Sequence, residues 1–361
     1  MKKEEKEISK FEILKEDIET LLQNFPLKKF ILIVFSIGFL LLLIGIFFIL
    51  FGVKTSCGDG TIYGQCSVNK PYFCSNGTLI EKASSCGCNS NLSLTGNSCI
   101  SKYQEQPKTI TLKYILRGEE KQINLIVYKK MVDYLSGLSS SISYKNGENF
   151  SRADFKLRDI SNEEQKNLLM PLVIKIQNLA KDKTEQMRIA VSIVQQIPFE
   201  SSKKTFIFGG IRLNYSRYPY EVLYENQGVC SEKSELLIFL LKELGYKTAF
   251  FFNSFENHES VGIKCPWATD FKNTGYCFVE TTAPSIITDD EVEYVGVGGL
   301  YSQPEVIPAS NGISLERNLY EYKDANDLKT IRNIIKENGQ LSAVESQRFE
   351  ELKKKYGLEM I

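Results

Sequence analysis

Residues 30–53, FILIVFSIGFLLLLIGIFFILFGV, carry no charged side chain. At the rise of an α-helix such a run reaches roughly 36 Å, enough to cross the hydrocarbon core of a bilayer with some tilt. It is longer than the apolar stretch of a cleaved signal peptide, and no small-x-small cleavage site follows it. The run therefore reads as an uncleaved, single-pass signal anchor with the bilayer as its partner. It divides the chain into a short N-terminal segment, 1–29, and a long C-terminal part. Lys15, Lys28 and Lys29 precede the run while Lys54 and Lys70 follow it, which favours a cytoplasmic N-terminus.

The cysteines give the same orientation by a separate argument. Cys57, Cys66, Cys74, Cys86, Cys88 and Cys99 crowd into the Gly-, Asn- and Ser-rich stretch right after the run. An even set at this density in a piece too small to bury a core of its own implies disulfides and an oxidising, extracytoplasmic compartment. Six cysteines allow fifteen pairings, and the sequence does not choose among them. Zinc is a poor alternative because the stretch has no histidine. We bound this disulfide module at 54–100, as a spacer or a recognition knob. Four N-x-S/T sequons, at Asn76, Asn91, Asn149 and Asn214, also follow the run. Across the chain 44 basic residues balance 44 acidic ones. No basic tract interleaves with aromatics, so no nucleic-acid partner is expected.

Segment 1–29 places apolar residues from Ile8 to Leu22 at helical spacing, which predicts a short amphipathic helix before Pro26. After a polar linker, KTITLKYILRG and EEKQINLIVY predict two strands around a Gly-Glu-Glu turn, and KKMVDYLSGLSSSI a short helix. Residues 140–161 read as loop. Ser161 with Glu164 three residues on suggests the capped start of a helix that Pro171 kinks or splits. A second helix carries Met187, Ala190, Val191, Ile193 and Val194 inward, and 198–224 reads as a long ordered loop. Leu236, Leu237, Leu240, Leu241 and Leu244 mark a further helix that Gly245 stops. YKTAFFFN, HESVGIKC and GYCFVETT then read as three strands. A strand pair near 291–308 and helices near 324–337 and 341–356 complete the chain.

Cys230 stands at the mouth of the Leu-rich helix, where it could be a packing residue, half of a disulfide, a metal ligand or a nucleophile. A helix N-terminus stabilises a thiolate through unpaired N–H groups, and Gly228 permits a tight turn before it. The chain's one histidine, His258, opens a strand downstream, and Glu280 lies on the strand after that. Cysteine, histidine and carboxylate on neighbouring elements are the parts of a triad. In it the sulfur attacks a carbonyl, the imidazole takes and returns the proton, and the acid fixes the imidazole tautomer. One histidine with scattered thiols is no metal-ligand set.

This order, GVC at a helix start, then His258 opening a strand, then the acid of FVETT, resembles the transglutaminase-like superfamily of papain-like cysteine enzymes. RIAVSIVQQIPF and RYPYEVLYENQGVCSEKSELLIFLLKELGYKTAFF are similar to its membrane-anchored prokaryotic members. The likeness spans roughly 160–290 and leaves the cysteine module and the tail uncovered. It implies an α+β fold, helices packed on an antiparallel sheet, with Cys230 as nucleophile and His258 as base. Glu280 stands where the family usually has Asp. The safest oxyanion donor is the backbone N–H of Cys230; Tyr220 and Gln227 are side-chain candidates. If the His258 and Glu280 strands pair antiparallel, Cys265 and Cys277 face each other and form a disulfide. That leaves Cys230 as the odd, reduced thiol.

The expectation is a transglutaminase-like domain over 108–310 with a helical tail over 311–361. It would be anchored in the cell membrane, face outward, and act by acyl transfer through a thioester. Hydrolysis of a peptide or isopeptide bond in a cell-surface protein is expected rather than cross-linking, since water is abundant there. No cofactor or metal is implied. The alternative is a catalytically idle binding ectodomain.

Overall fold

The computed structural model describes residues 32–43, 56–138, 151–208, 211–291 and 299–358. The amphipathic helix expected in segment 1–29, the Asn149 sequon, and the first half of the strand pair near 291–308 lie outside these residues. Residues 1–55 and 56–361 form two units. Of the first, residues 32–43 are helical, and their Leu, Ile, Val and Phe side chains are exposed. The rest of the 30–53 run lies outside the described residues. Among the described residues no helix is long and apolar enough to cross a membrane.

The second unit is a mixed α+β structure with antiparallel sheets and four disulfides. It opens with the cysteine module: hairpin β1 (Tyr72–Ser75) and β2 (Thr78–Glu81), a helical turn α1 (Ala83–Cys86), and hairpin β3 (Ser93–Thr95) and β4 (Ser98–Ile100). Disulfides Cys57–Cys74, Cys66–Cys86 and Cys88–Cys99 select one of the fifteen pairings.

A long hairpin follows, β5 (Pro107–Leu116) with β6 (Glu119–Tyr128), running into α2 (Lys129–Ser136). Its turn is Arg117–Gly118, one residue ahead of the expected Gly-Glu-Glu. Strict alternation of apolar residues along both strands buries Ile110, Leu112, Tyr114, Ile123, Leu125 and Val127 on one face.

Three expectations are corrected here. Residues 152–160, read as loop, form helix α3 (Arg152–Ile160), whose Ser151 and Asp154 make a capping box and whose inward face is the charged Lys156 with Ile160. A helix that buries a lysine gives no apolar signal. Helix α4 (Glu163–Leu179) is capped by Asn162, not Ser161: the Asn162 side chain accepts from the Gln165 N–H. It continues through Pro171 without splitting. The expected loop 198–224 holds hairpin β7 (Thr205–Phe208) and β8 (Ile211–Asn214), then helix α6 (Pro219–Glu225) with proline at its first position.

Between α4 and α6 lies α5 (Lys183–Gln195), which buries all five of its expected core residues. Helix α7 (Cys230–Glu243) is enclosed over most of its circumference: residues 232–241 are all buried. It packs on a four-stranded antiparallel sheet of order β11-β10-β9-β12, built from β9 (Thr248–Asn253), β10 (His258–Lys264), β11 (Tyr276–Val279) and β12 (Glu305–Pro308). β12 takes the free edge beside β9. Helices α8 (Tyr320–Asn338) and α9 (Ala343–Tyr356) cover the segment after β11 through Ile286, Leu328, Ile331 and Leu352, and Arg332 pairs bidentately with buried Asp289.

Candidate active site

Cys230 is the first helical residue of α7, where a backbone N–H has no acceptor within its own helix. Val229 has no side-chain oxygen to cap that end, so Glu232 does the work. Its carboxylate accepts the Val229 N–H at 3.0 Å and the Arg217 N–H at 2.9 Å, and it pairs with the buried Arg217 guanidinium at 2.9 Å. The expected tight turn at Gly228 has another basis. The position is tight because a Cβ there would stand 3.1 Å from the Lys233 stem and 3.3 Å from Val222.

The structure brings all three candidate residues together. His258, at the start of β10, and Glu280, just past β11, are both buried, and His258 Nε2 lies 2.9 Å from Glu280 Oε2. The Cys230 thiol hydrogen-bonds to the same imidazole. Cys230 is the one free cysteine among the described residues, and it is half-buried. Burial works against a charge on His258, but its bonds to Cys230 and Glu280 outweigh it and hold the imidazole at about 10. Burial likewise pushes Glu280 up, and the bonds from His258 and Thr282 overcome that and keep it below the ordinary carboxylate value.

Glu280 is gripped from its other side. Its Oε1 accepts the Thr282 N–H at 2.8 Å and the Thr282 hydroxyl at 2.6 Å. Gln195, at the end of α5, donates to the Glu280 carbonyl at 3.0 Å and to that of Ser285 at 3.1 Å. Thr281 reaches the Cys230 carbonyl at 3.5 Å and the Ser234 hydroxyl at 3.2 Å, which ties the acid's segment to the cysteine's helix.

Two buried lysines complete the frame, and neither carries a sequence signal beyond helical position. Lys156 on α3 bridges Glu235 of α7 at 2.7 Å and Glu259 of β10 at 2.8 Å. Burial works against its charge, yet the two carboxylates hold it above its ordinary value. Lys233, one turn below Cys230, donates to the carbonyls of Ile197 and Thr282. Burial pulls it down to about 7, against the pull of Glu280.

The two side-chain oxyanion candidates are engaged elsewhere. The Tyr220 hydroxyl accepts the Tyr128 N–H at 2.7 Å. The Gln227 amide faces Glu200 and Arg217.

Cys265 and Cys277 are disulfide-bonded. They are not directly opposed: Cys277 pairs with Ile263, so the bridge runs diagonally from just beyond β10 to the second residue of β11. Among the described residues no group of acidic, histidine or cysteine side chains could hold a metal ion.

No family model matches the chain, and no curated protein matches it. Among solved structures, Legionella pneumophila LapG aligns over 37% of this chain and 75% of its own, at 13% identity and a TM-score of 0.23.

Proposed function

We propose that the chain is a papain-like cysteine enzyme of the transglutaminase-like class, facing outward from a membrane anchored by residues 30–53, and that it cleaves peptide or isopeptide bonds. The observation that carries this reading is the convergence of Cys230, His258 and Glu280, with the imidazole bonded on both sides. Four disulfides fit an oxidising compartment.

An imidazole near 10 holds its proton at neutral pH. His258 thus begins the cycle as the acid, and not as the free base expected from the order of the residues. The Cys230 thiolate attacks the acyl carbon, and the backbone N–H of Cys230 supports the oxyanion. The C–N bond then breaks, and the His258 proton passes to the departing amine. The thioester remains. Water attacks it next: its proton passes to His258, its oxygen bonds to the acyl carbon, the C–S bond breaks, the acid is released and the thiolate is restored. Glu280 keeps the imidazolium oriented throughout without taking the proton.

The test is labelling of the full chain by a thiol-reactive acyl-type probe, in wild type, Cys230→Ala and His258→Ala. Wild type is expected to label at one site. Cys230→Ala should not label, and His258→Ala should label slower by on the order of 10²-fold, the scale of one acid–base group. Equal labelling of all three proteins means an idle binding ectodomain instead.

A further inference from the structure

The backbone just upstream of the nucleophile is half of a strand pair. Pro198 O accepts the Gly228 N–H at 3.1 Å, and the Glu200 N–H donates to Gly228 O at 3.2 Å, making a parallel bridge between Phe199 and Gly228. In extended backbone successive polar groups point to opposite sides. The N–H and C=O of Phe199 therefore face away from Gly228, and neither bonds to any described residue. Its side chain is 59% exposed, and Pro198 and Glu200 are exposed as well. Backbone polar groups at such an edge seek partners, and an open edge is a template for another strand. This one lies beside Gly228, two residues before Cys230.

A second feature lies on the imidazole side. Phe255, 92% exposed, sits in the turn that leads into His258. Its neighbour Glu256 accepts the N–H groups of Tyr301 at 2.7 Å and Ser302 at 2.8 Å. That fixes Tyr301, 85% exposed, next to the same turn. Aromatic side chains thus stand in solvent beside Gly228, two residues before the sulfur, and at the turn that precedes the ring.

We propose that residues 198–200 are the docking edge for an extended polypeptide substrate, whose backbone pairs with the N–H and C=O of Phe199 and so brings an acyl carbon to Cys230. A polypeptide strand offers one acceptor and one donor at the spacing of a single residue, the complement of what Phe199 presents; a sugar polymer does not. Large apolar side chains beside the scissile bond pack on the aromatics. This inference rests on the cysteine-enzyme reading above and adds the substrate's conformation and chemistry.

The test uses the full chain and three reagents. They are methyl vinyl sulfone, a tetrapeptidyl vinyl sulfone with bulky apolar side chains, and the same tetrapeptide N-methylated at each amide in turn. Two backbone hydrogen bonds predict that the tetrapeptide labels Cys230 about tenfold faster than methyl vinyl sulfone. N-methylation at one particular amide should cut that gain to about threefold, since one of the two bonds remains. The ratio of the two rates should fall to about three in Phe199→Pro, which lacks the N–H but keeps the C=O. If every N-methylated probe and Phe199→Pro keep the full gain, or if the tetrapeptide has none, the docking edge is overturned. Failure of the enzyme reading looks different: methyl vinyl sulfone labelling would then be indifferent to His258→Ala.

Discussion

At the scale of single residues, the site depends on charges that the fold holds away from water. Lys233 is the sharpest case. It is fully buried and held at about 7, while an unfolded chain gives it its ordinary 10.5. Between those values the unfolded chain binds a proton that the folded one does not, so stability rises with pH across that window. Below about 7 both states are protonated and the cost of burying the charge is fully present. Lys233→Met lacks this titration. Denaturant unfolding of both proteins from pH 6 to 10 should show the wild type gaining on the variant, by up to about 1.4 kcal/mol per pH unit at the steepest. Parallel curves would mean that Lys233 keeps an ordinary pKa. Cys230, His258 and Glu280 were legible in the sequence because their residue types and order are unusual: a lone histidine and an odd cysteine stand out. Lys156, Lys233 and Thr282 were not, because nothing in a line of residues distinguishes a lysine that points inward from one in solvent.

At the scale of elements, apolar period decided what could be read. Helix α7 and helix α5 announce themselves through apolar spacing, and strands β9 and β11 through short, nearly unbroken buried runs. Helix α3 and hairpin β7–β8 do not, since a buried charge carries the first and the strands of the second are only four residues long. The hairpin of β10 and β11 carries His258 at its start and leads into Glu280 just past its end, and only a short register, Val261 to Lys264 against Tyr276 to Val279, aligns them. The Cys265–Cys277 bridge closes its far end across a separation of 12 residues. Changing both cysteines to Ser should cost about 2–4 kcal/mol of stability. Because His258 and Glu280 lie at the opposite end of the pair, labelling of Cys230 at temperatures well below unfolding should change little. A large loss of labelling at full folding would show instead that the bridge sets the His258–Glu280 distance.

At the scale of the whole molecule, the cysteine module meets the rest of the second unit through side chains, with Leu79 and Tyr72 in the shared core and Asn89 and Asn91 bonded to Asn167 and Glu164 of α4, and also through its backbone. The Asn178 side chain, at the end of α4, makes reciprocal bonds with Leu79, accepting its N–H at 2.8 Å and donating to its carbonyl at 3.0 Å. Gln186 of α5 donates to the Gly58 carbonyl at 2.7 Å. Gly58 itself lies so close to α4 that a Cβ would stand 2.0 Å from the Gln177 carbonyl oxygen. Both atoms belong to backbone and neither can swing away, so Gly58→Ala must part the module from α4 or bend the helix. A module held this way has its position fixed on helices α4 and α5. Gly58→Ala should therefore lower the thermal midpoint by several degrees, the effect of roughly 1–3 kcal/mol of overpacking strain. Limited proteolysis under native conditions should cut near residues 101–106, in the polar link between module and hairpin, far faster in the variant than in the wild type. An unchanged midpoint and cutting rate would mean that the contact at Gly58 does not hold the module in place. In that case the three disulfides organise it independently of the helices, and it would be free to move with respect to Cys230.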